Sequence, residues 1–293
     1  MSRHALAIVL VLVVGSVVAG DESSIGKVRK DVEYARVGEH RLLLDLYLPS
    51  KVESPPLIVW VHGGAWRSGS KDRMPLRFLV ENGFAVASVN YRLSPVARFP
   101  AQVHDCKAAI RYLRSTQDDY GVDGSKIGIA GASAGGHLAA LVGVTNGHNK
   151  LEGKVGAATD QSSAVQAIVD YYGPTNFLTI LKQSTPHGLG VRIPALQLLL
   201  GGQPEDKREA AELASPVFHI DAKDPPLLLL HGDQDPQVPI NQSHELHGAY
   251  KKFSNLDASF EVVHGGAHGG SQFFDVERKK LVTSFFKRHL RQR

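Results

Sequence analysis

Cysteine is almost missing from this chain: Cys106 is the only one in 293 residues. An intramolecular disulfide is therefore excluded. Cys106 lies in a helical pattern beside Ala108 and Ala109, with no tight turn around it, so it reads as a small buried hydrophobe rather than a catalytic thiol. Charge of one sign is also lacking, with 33 Lys and Arg against 29 Asp and Glu and a net charge of +4. The basic residues are spread out, apart from a C-terminal group (Arg278, Lys279, Lys280, Lys287, Arg288, Arg291, Arg293) that fits a solvated amphipathic helix. With no basic-aromatic platform, nothing argues for nucleic acid. The His-Glu-x-x-His zinc pattern is absent too. His244-Glu245-Leu246-His247 spaces its histidines three apart, and it reads as a solvated helix face. No metal and no cofactor is expected. Internal repeats and low-complexity tracts are not found.

Long apolar runs are missing except at the start, where Ala5 to Val18 carries no charge. Arg3 and His4 precede the run and Val17-Val18-Ala19 follows with small residues. Residues 1–20 are thus expected to be a signal peptide cleaved near Gly20 or Asp21. The run is short against the roughly 20 residues of a membrane span. The alternative is an uncleaved N-terminal anchor. An exported protein, secreted or periplasmic, with no stable membrane span is expected.

Residues 21–293 suit one α/β domain. Strands are expected at 28–37, 40–48, 57–61, 84–89, 126–130, 167–172, 227–230 and 259–263. Helices are expected near 74–82, 101–116, 240–253 and 271–290. Short apolar strands alternating with helices predict a mainly parallel sheet with helices on both faces. The stretch 175–215 breaks this rhythm and reads either as a small cap over the site or as a long excursion between strands.

The most informative segment is Gly131-Ala132-Ser133-Ala134-Gly135-Gly136. It follows a strand-like run, Lys126–Ala130, and precedes a helix-like run from His137. A serine held between glycines at a strand-to-helix turn has the form of a nucleophile elbow. A serine hydroxyl needs a base. Among 14 histidines, His268 stands out in Gly265-Gly266-Ala267-His268-Gly269-Gly270, between the last strand and last helix. There it can reach the carboxyl edge of the sheet, where open α/β sheets form their sites. His264 is the second candidate. The base needs a carboxylate to orient it. Asp233 and Asp235, in the loop after Leu227–Leu230, are both candidates, and spacing does not choose between them. His62-Gly63-Gly64-Ala65-Trp66 follows a buried strand. Its small residues let backbone amides approach an oxyanion, and the amide of Ala134 adds another donor. The aromatics Trp66, Tyr171, Tyr172 and Phe177 are candidates for the pocket lining. His104 and Asp105 read as surface or supporting polar groups of their helix.

Taken together, His62–Trp66, Asn90-Tyr91-Arg92-Leu93, Phe99-Pro100-Ala101, Gly131–Gly136, His231–Pro239 and Gly265–His268 resemble the α/β-hydrolases of the carboxylesterase and lipase superfamily. The likeness spans about residues 40–290. It is nearest to the hormone-sensitive-lipase-like group and to secreted acetyl and feruloyl esterases. The resemblance implies Ser133 as nucleophile, His268 as base and Asp235 as acid, with oxyanion donors at Gly64, Ala65 and Ala134 and Gly63 shaping the turn. Ala65 stands where the lipase-like group has a third glycine. A backbone amide survives that change, and the pattern leans toward the acetyl and feruloyl side. The implied activity is hydrolysis of short acyl esters, acetyl or feruloyl groups on polysaccharides among them. A peptidase or amidase on the same fold and a non-catalytic binding protein are the alternatives.

Overall fold

The computed structural model describes residues 25–291. The expected signal segment, 1–20, lies outside them. Eight strands form one sheet: β1 (Ile25–Val37), β2 (His40–Pro49), β3 (Pro56–Val61), β4 (Ala85–Val89), β5 (Asp123–Ala132), β6 (Ala167–Tyr171), β7 (Leu227–Gly232) and β8 (Ala258–Val263). Their spatial order is β1-β2-β4-β3-β5-β6-β7-β8. The β1–β2 and β2–β4 pairs are antiparallel, and every other pair is parallel. This is the α/β-hydrolase fold, a mainly parallel sheet wrapped by helices.

Ten helices fill the connections: α1 (Arg77–Glu81), α2 (Ala101–Ser115), α3 (Gln117–Tyr120), α4 (Ala134–Gly143), α5 (Asn149–Glu152), α6 (Ile180–Gln183), α7 (Pro186–Leu200), α8 (Arg208–Leu213), α9 (Asn241–Tyr250) and α10 (Val276–Arg291). No helix among the described residues is long and apolar enough to cross a membrane.

The continuous apolar run of β3 is buried on both faces, as a central parallel strand requires. Its side chains alternate between two cores. Leu57, Val59 and Val61 pack with Val103, Leu138 and Leu246 of α2, α4 and α9. Ile58 and Trp60 pack with Phe78 of α1 and Phe285 and Phe286 of α10. Gly128 of β5 is the pinch point of the second core, because a Cβ there would stand 2.7 Å from the Phe286 ring. Cys106 is buried, as its pattern predicts.

Two local expectations change. The helix expected over 271–290 is split into a 3-10 turn, Ser271–Phe274, and α10. Extended Asp275 separates them, and its Oδ1 accepts the Arg278 amide at 2.8 Å, a capping bond that restarts the helix. Of the two readings of Asp105, the structure gives the supporting one. It is fully buried and takes Arg92 through two side-chain nitrogens, Nε at 2.8 Å and Nη2 at 2.7 Å. It also accepts the Arg92 amide at 2.9 Å, which ties the 90–97 loop to α2. Glu245 leaves the solvated face, accepting from Asn176 at 2.6 Å and Thr179 at 2.9 Å. It anchors the start of the 175–215 excursion on α9.

That excursion contains α6, α7 and α8, and it buries Phe177, Ile180, Leu196, Leu199 and Ala211 against the first core. The start of α7 is moored to the loop after β7: Thr185 caps the helix, accepting from the Gly188 amide, and its hydroxyl donates to the Pro236 carbonyl at 2.8 Å. Its far end is held by the Phe99 amide, which donates to the Leu199 carbonyl at 2.9 Å.

Candidate active site

Four carboxyl-end loops of the sheet converge, those after β3, β5, β7 and β8. Ser133 follows β5 with φ +55° and ψ −120°, a conformation L-residues rarely hold. The turn tolerates nothing larger than glycine two residues before and two residues after the serine. A Cβ on Gly131 would meet the Gly135 carbonyl, and one on Gly135 would meet the Val61 carbonyl. The strain is held by its surroundings: the Ser133 amide donates to the Tyr171 carbonyl at 2.9 Å and its carbonyl accepts the His137 amide at 3.0 Å.

The Ser133 hydroxyl donates to His268 Nε2 at 2.8 Å. His268 Nδ1–H donates to Asp235 Oδ2 at 2.7 Å. Asp235 Oδ1 accepts the amides of Gln237 at 2.8 Å and Val238 at 2.9 Å. Burial alone would raise the Asp235 carboxyl. The hydrogen bonds from His231, His268 and the Val238 amide outweigh burial and hold it well below the usual carboxylate range. Asp233 stands apart. It accepts the Gly265 amide at 2.8 Å and bonds exposed His264 at 2.9 Å, so it braces the two loops instead of reaching His268.

The loop 62–66 faces Ser133 from the neighbouring strand. Gly64, Ala65 and Trp66 all have positive φ, +112°, +52° and +57°. None of the amides of Gly64, Ala65 and Ala134 donates to another acceptor among the described residues. Gly63 lies against the elbow, where a Cβ would stand 2.8 Å from the Ala132 carbonyl. His62 steadies the loop by stacking on Tyr91 at 4.4 Å, and the Tyr91 hydroxyl donates to the His62 carbonyl at 3.0 Å. With the helix α4 aimed at the same point, the arrangement can accept negative charge on an oxygen beside Ser133.

An open cleft of about 1110 Å³ exposes this constellation. Of the four aromatics expected to line it, only Tyr172 does, its ring edge-on to His268 at 4.9 Å. The other three are corrected by the structure. Trp66 is fully buried because its indole N–H finds an acceptor inward, His137 Nδ1 at 3.0 Å. Phe177 packs behind it, stacked on His137 at 4.9 Å. Tyr171 is fully buried in the second core, its ring stacked on Phe274 at 5.3 Å. The cleft has a mixed lining: Trp60, Met74, Val191 and Phe274 stand beside Arg67, Ser68, Asp72, Arg73, Arg192 and Gln237.

Three supporting residues escape a reading of the sequence. His231 is fully buried on β7. Its Nε2–H donates to the Val238 carbonyl at 2.9 Å and lies 3.4 Å from Asp235 Oδ2, while Nδ1 accepts the Ser243 hydroxyl at 2.7 Å. His137 is buried four residues after Ser133, and burial pushes its imidazole down to about 4. Beneath the elbow, buried Asp170 accepts the Gly173 amide at 2.8 Å, and burial pushes its carboxyl up to about 7. A histidine in the otherwise apolar, small-residue stretch 134–143 was the one available signal for His137.

Fold and site define an α/β-hydrolase with a serine at its nucleophile elbow. The BD-FAE family model matches residues 44–250, and the chain belongs to that family. Among curated proteins it is 30% identical over 238 residues to esterase LipC of Mycobacterium tuberculosis, covering 78% of this chain and 56% of that protein. To esterase LipQ of the same organism it is 31% identical, covering 86% of this chain and 59% of that one. The chain thus spans about half the length of the curated relatives it matches. Among solved structures, a truncated form of a carbohydrate esterase from gut microbiota is 34% identical with a TM-score of 0.81, covering 92% of this chain and 99% of that one.

Proposed function

We propose that the chain is a serine carboxylic-ester hydrolase, with Ser133 as nucleophile, His268 as base and Asp235 as the orienting carboxylate. The observation that carries this reading is the unbroken hydrogen-bonded series from Ser133 through His268 to Asp235, beside a loop whose Gly64 and Ala65 amides have no acceptor among the described residues. Ser133 Oγ attacks the ester carbonyl carbon while its proton passes to His268 Nε2, and the carbonyl π pair moves onto oxygen. The amides of Gly64, Ala65 and Ala134 stabilise that oxyanion. Collapse breaks the bond to the alcohol oxygen, which takes the proton from His268. Water, deprotonated by His268, then releases the acid and restores Ser133. Asp235, kept ionised by its donors, favours the imidazolium that forms at each step.

The substrates we infer are short acyl esters, acetyl or feruloyl groups on polysaccharides among them. The likeness to a carbohydrate esterase supports this, as do the arginines, serines and glutamine on part of the cleft wall. The apolar run Ala5–Val18 supports export to where such polymers lie. The test is hydrolysis of p-nitrophenyl esters from acetate to octanoate by wild type and Ser133→Ala, followed by acetylated and feruloylated xylan. Activity on short esters, reduced by about 10⁶ in kcat in the variant, is expected. Cleavage of a peptide p-nitroanilide with no ester cleavage would overturn the reading.

A further inference from the structure

Arg192 is the unusual charge in this molecule. It sits on α7 and lines the same cleft as Ser133 and His268, yet the residue is only 1% exposed. Its Nε and Nη1 are buried with no hydrogen-bond partner among the described residues. The guanidinium lies over the Trp66 ring, 5.8 Å from its centre, in the wall of the cleft. Buried cations are almost always paired, and an unpaired one is costly to keep. A buried polar group without a partner calls for an explanation.

Among the described residues no carboxylate pairs with Arg192. Asp235 is near enough to act on it through its field, but both oxygens of that carboxylate are already taken, by two histidines and two amides. Asp72 is the one acidic side chain lining the cleft. It accepts from Ser70 at 2.7 Å and lies 3.5 Å from Lys71. Against that single acid the cleft presents Arg67, Arg73 and Arg192, and Gln237 adds an amide beside them. Sugar hydroxyls alone would satisfy the N–H groups and leave the charge unbalanced. A guanidinium fork matches a carboxylate in both geometry and charge.

We propose that Arg192 is a specificity-determining residue that binds a carboxylate carried by the ester substrate, such as that of an acidic sugar. The proposal rests on the esterase reading above. The carboxylate stays ionised and takes no part in bond breaking. It anchors one end of the substrate while the ester carbonyl sits at Ser133.

Two matched pairs of esters test this, each with one member ionised and one neutral. Mono-(p-nitrophenyl) glutarate against its methyl ester places the carboxylate on the acyl side. 4-Acetoxybenzoate against methyl 4-acetoxybenzoate places it on the alcohol side. In at least one pair the wild-type chain should prefer the carboxylate in kcat/KM by about tenfold or more, chiefly through KM. Arg192→Gln should lower that ratio by about 10- to 100-fold, and Arg192→Lys by less, since it keeps the charge and loses the fork. Because the ratio is read first on wild type, a variant that fails to fold does not remove the test. Hydrolysis of both pairs with no carboxylate preference, or a preference that Arg192→Gln retains, would overturn the role of Arg192 alone. No hydrolysis of any ester would overturn the esterase reading itself.

Discussion

Lowering the pH should destabilise the fold through His137, by an amount the structure sets. Its Nδ1 accepts the Trp66 indole N–H, and its Nε2–H donates to the Ala214 carbonyl at 2.6 Å, so the neutral ring is held from both sides. An imidazolium has no acceptor for the indole, and burial brings the group down from 6.5 to about 4. Between these values the unfolded chain binds a proton that the folded chain does not. Stability therefore rises with pH across that window and is lost as pH falls. A shift of this size corresponds to about 3 kcal/mol in all, of which about 2 kcal/mol disappears between pH 6.5 and 4.5. The total pH curve conceals this. Asp170 and Asp224, both raised to about 7 by burial, are protonated more readily in the folded chain and tilt stability the other way as pH rises from about 4 to 7. The informative quantity is the difference between wild type and His137→Gln in urea unfolding at pH 7.5, 6.5, 5.5 and 4.5. The variant starts less stable, and the gap should narrow by about 2 kcal/mol on acidification. Parallel curves would refute the reasoning.

Four substitutions probe the rest of the site and its supports. Asp235→Asn should lower kcat on a p-nitrophenyl ester by about 10⁴, whereas Asp233→Asn should change it less than about threefold, because its contacts brace loops outside the triad; equal losses would reverse the choice between them. Ala65→Gly relieves an alanine at φ +52° and should raise stability by about 1 kcal/mol in urea unfolding, with the oxyanion amide kept. Arg92→Ala leaves the buried Asp105 carboxylate without its partner and should cost about 3–5 kcal/mol by the same measurement.

The elbow was legible in the sequence because steric demand writes itself into residue type: Gly131 and Gly135 are small for reasons a carbonyl oxygen enforces. The parallel sheet was legible because β3 is apolar throughout and β7 opens with four leucines. The choice between Asp233 and Asp235 was not, since two residues of spacing do not reveal which way a loop turns. The aromatics misled because Trp66 sits at left-handed backbone and seeks an acceptor for its indole, which turns it into the protein. Arg192 left one trace, as the sole formally charged residue between Lys182 and Glu205. Nothing in a linear pattern places that charge beneath a tryptophan at the mouth of a cleft.

The two-ended mooring of α7 has an evolutionary consequence. Thr185 fixes where the helix begins, and Leu199 fixes where it ends. Neither anchor involves Val191 or Arg192, the side chains that α7 presents to the cleft. Those positions can drift without loosening the acid loop or the nucleophile. On the role proposed for Arg192, exchanging that one side chain would change which substrates are held while both moorings of the helix stay in place.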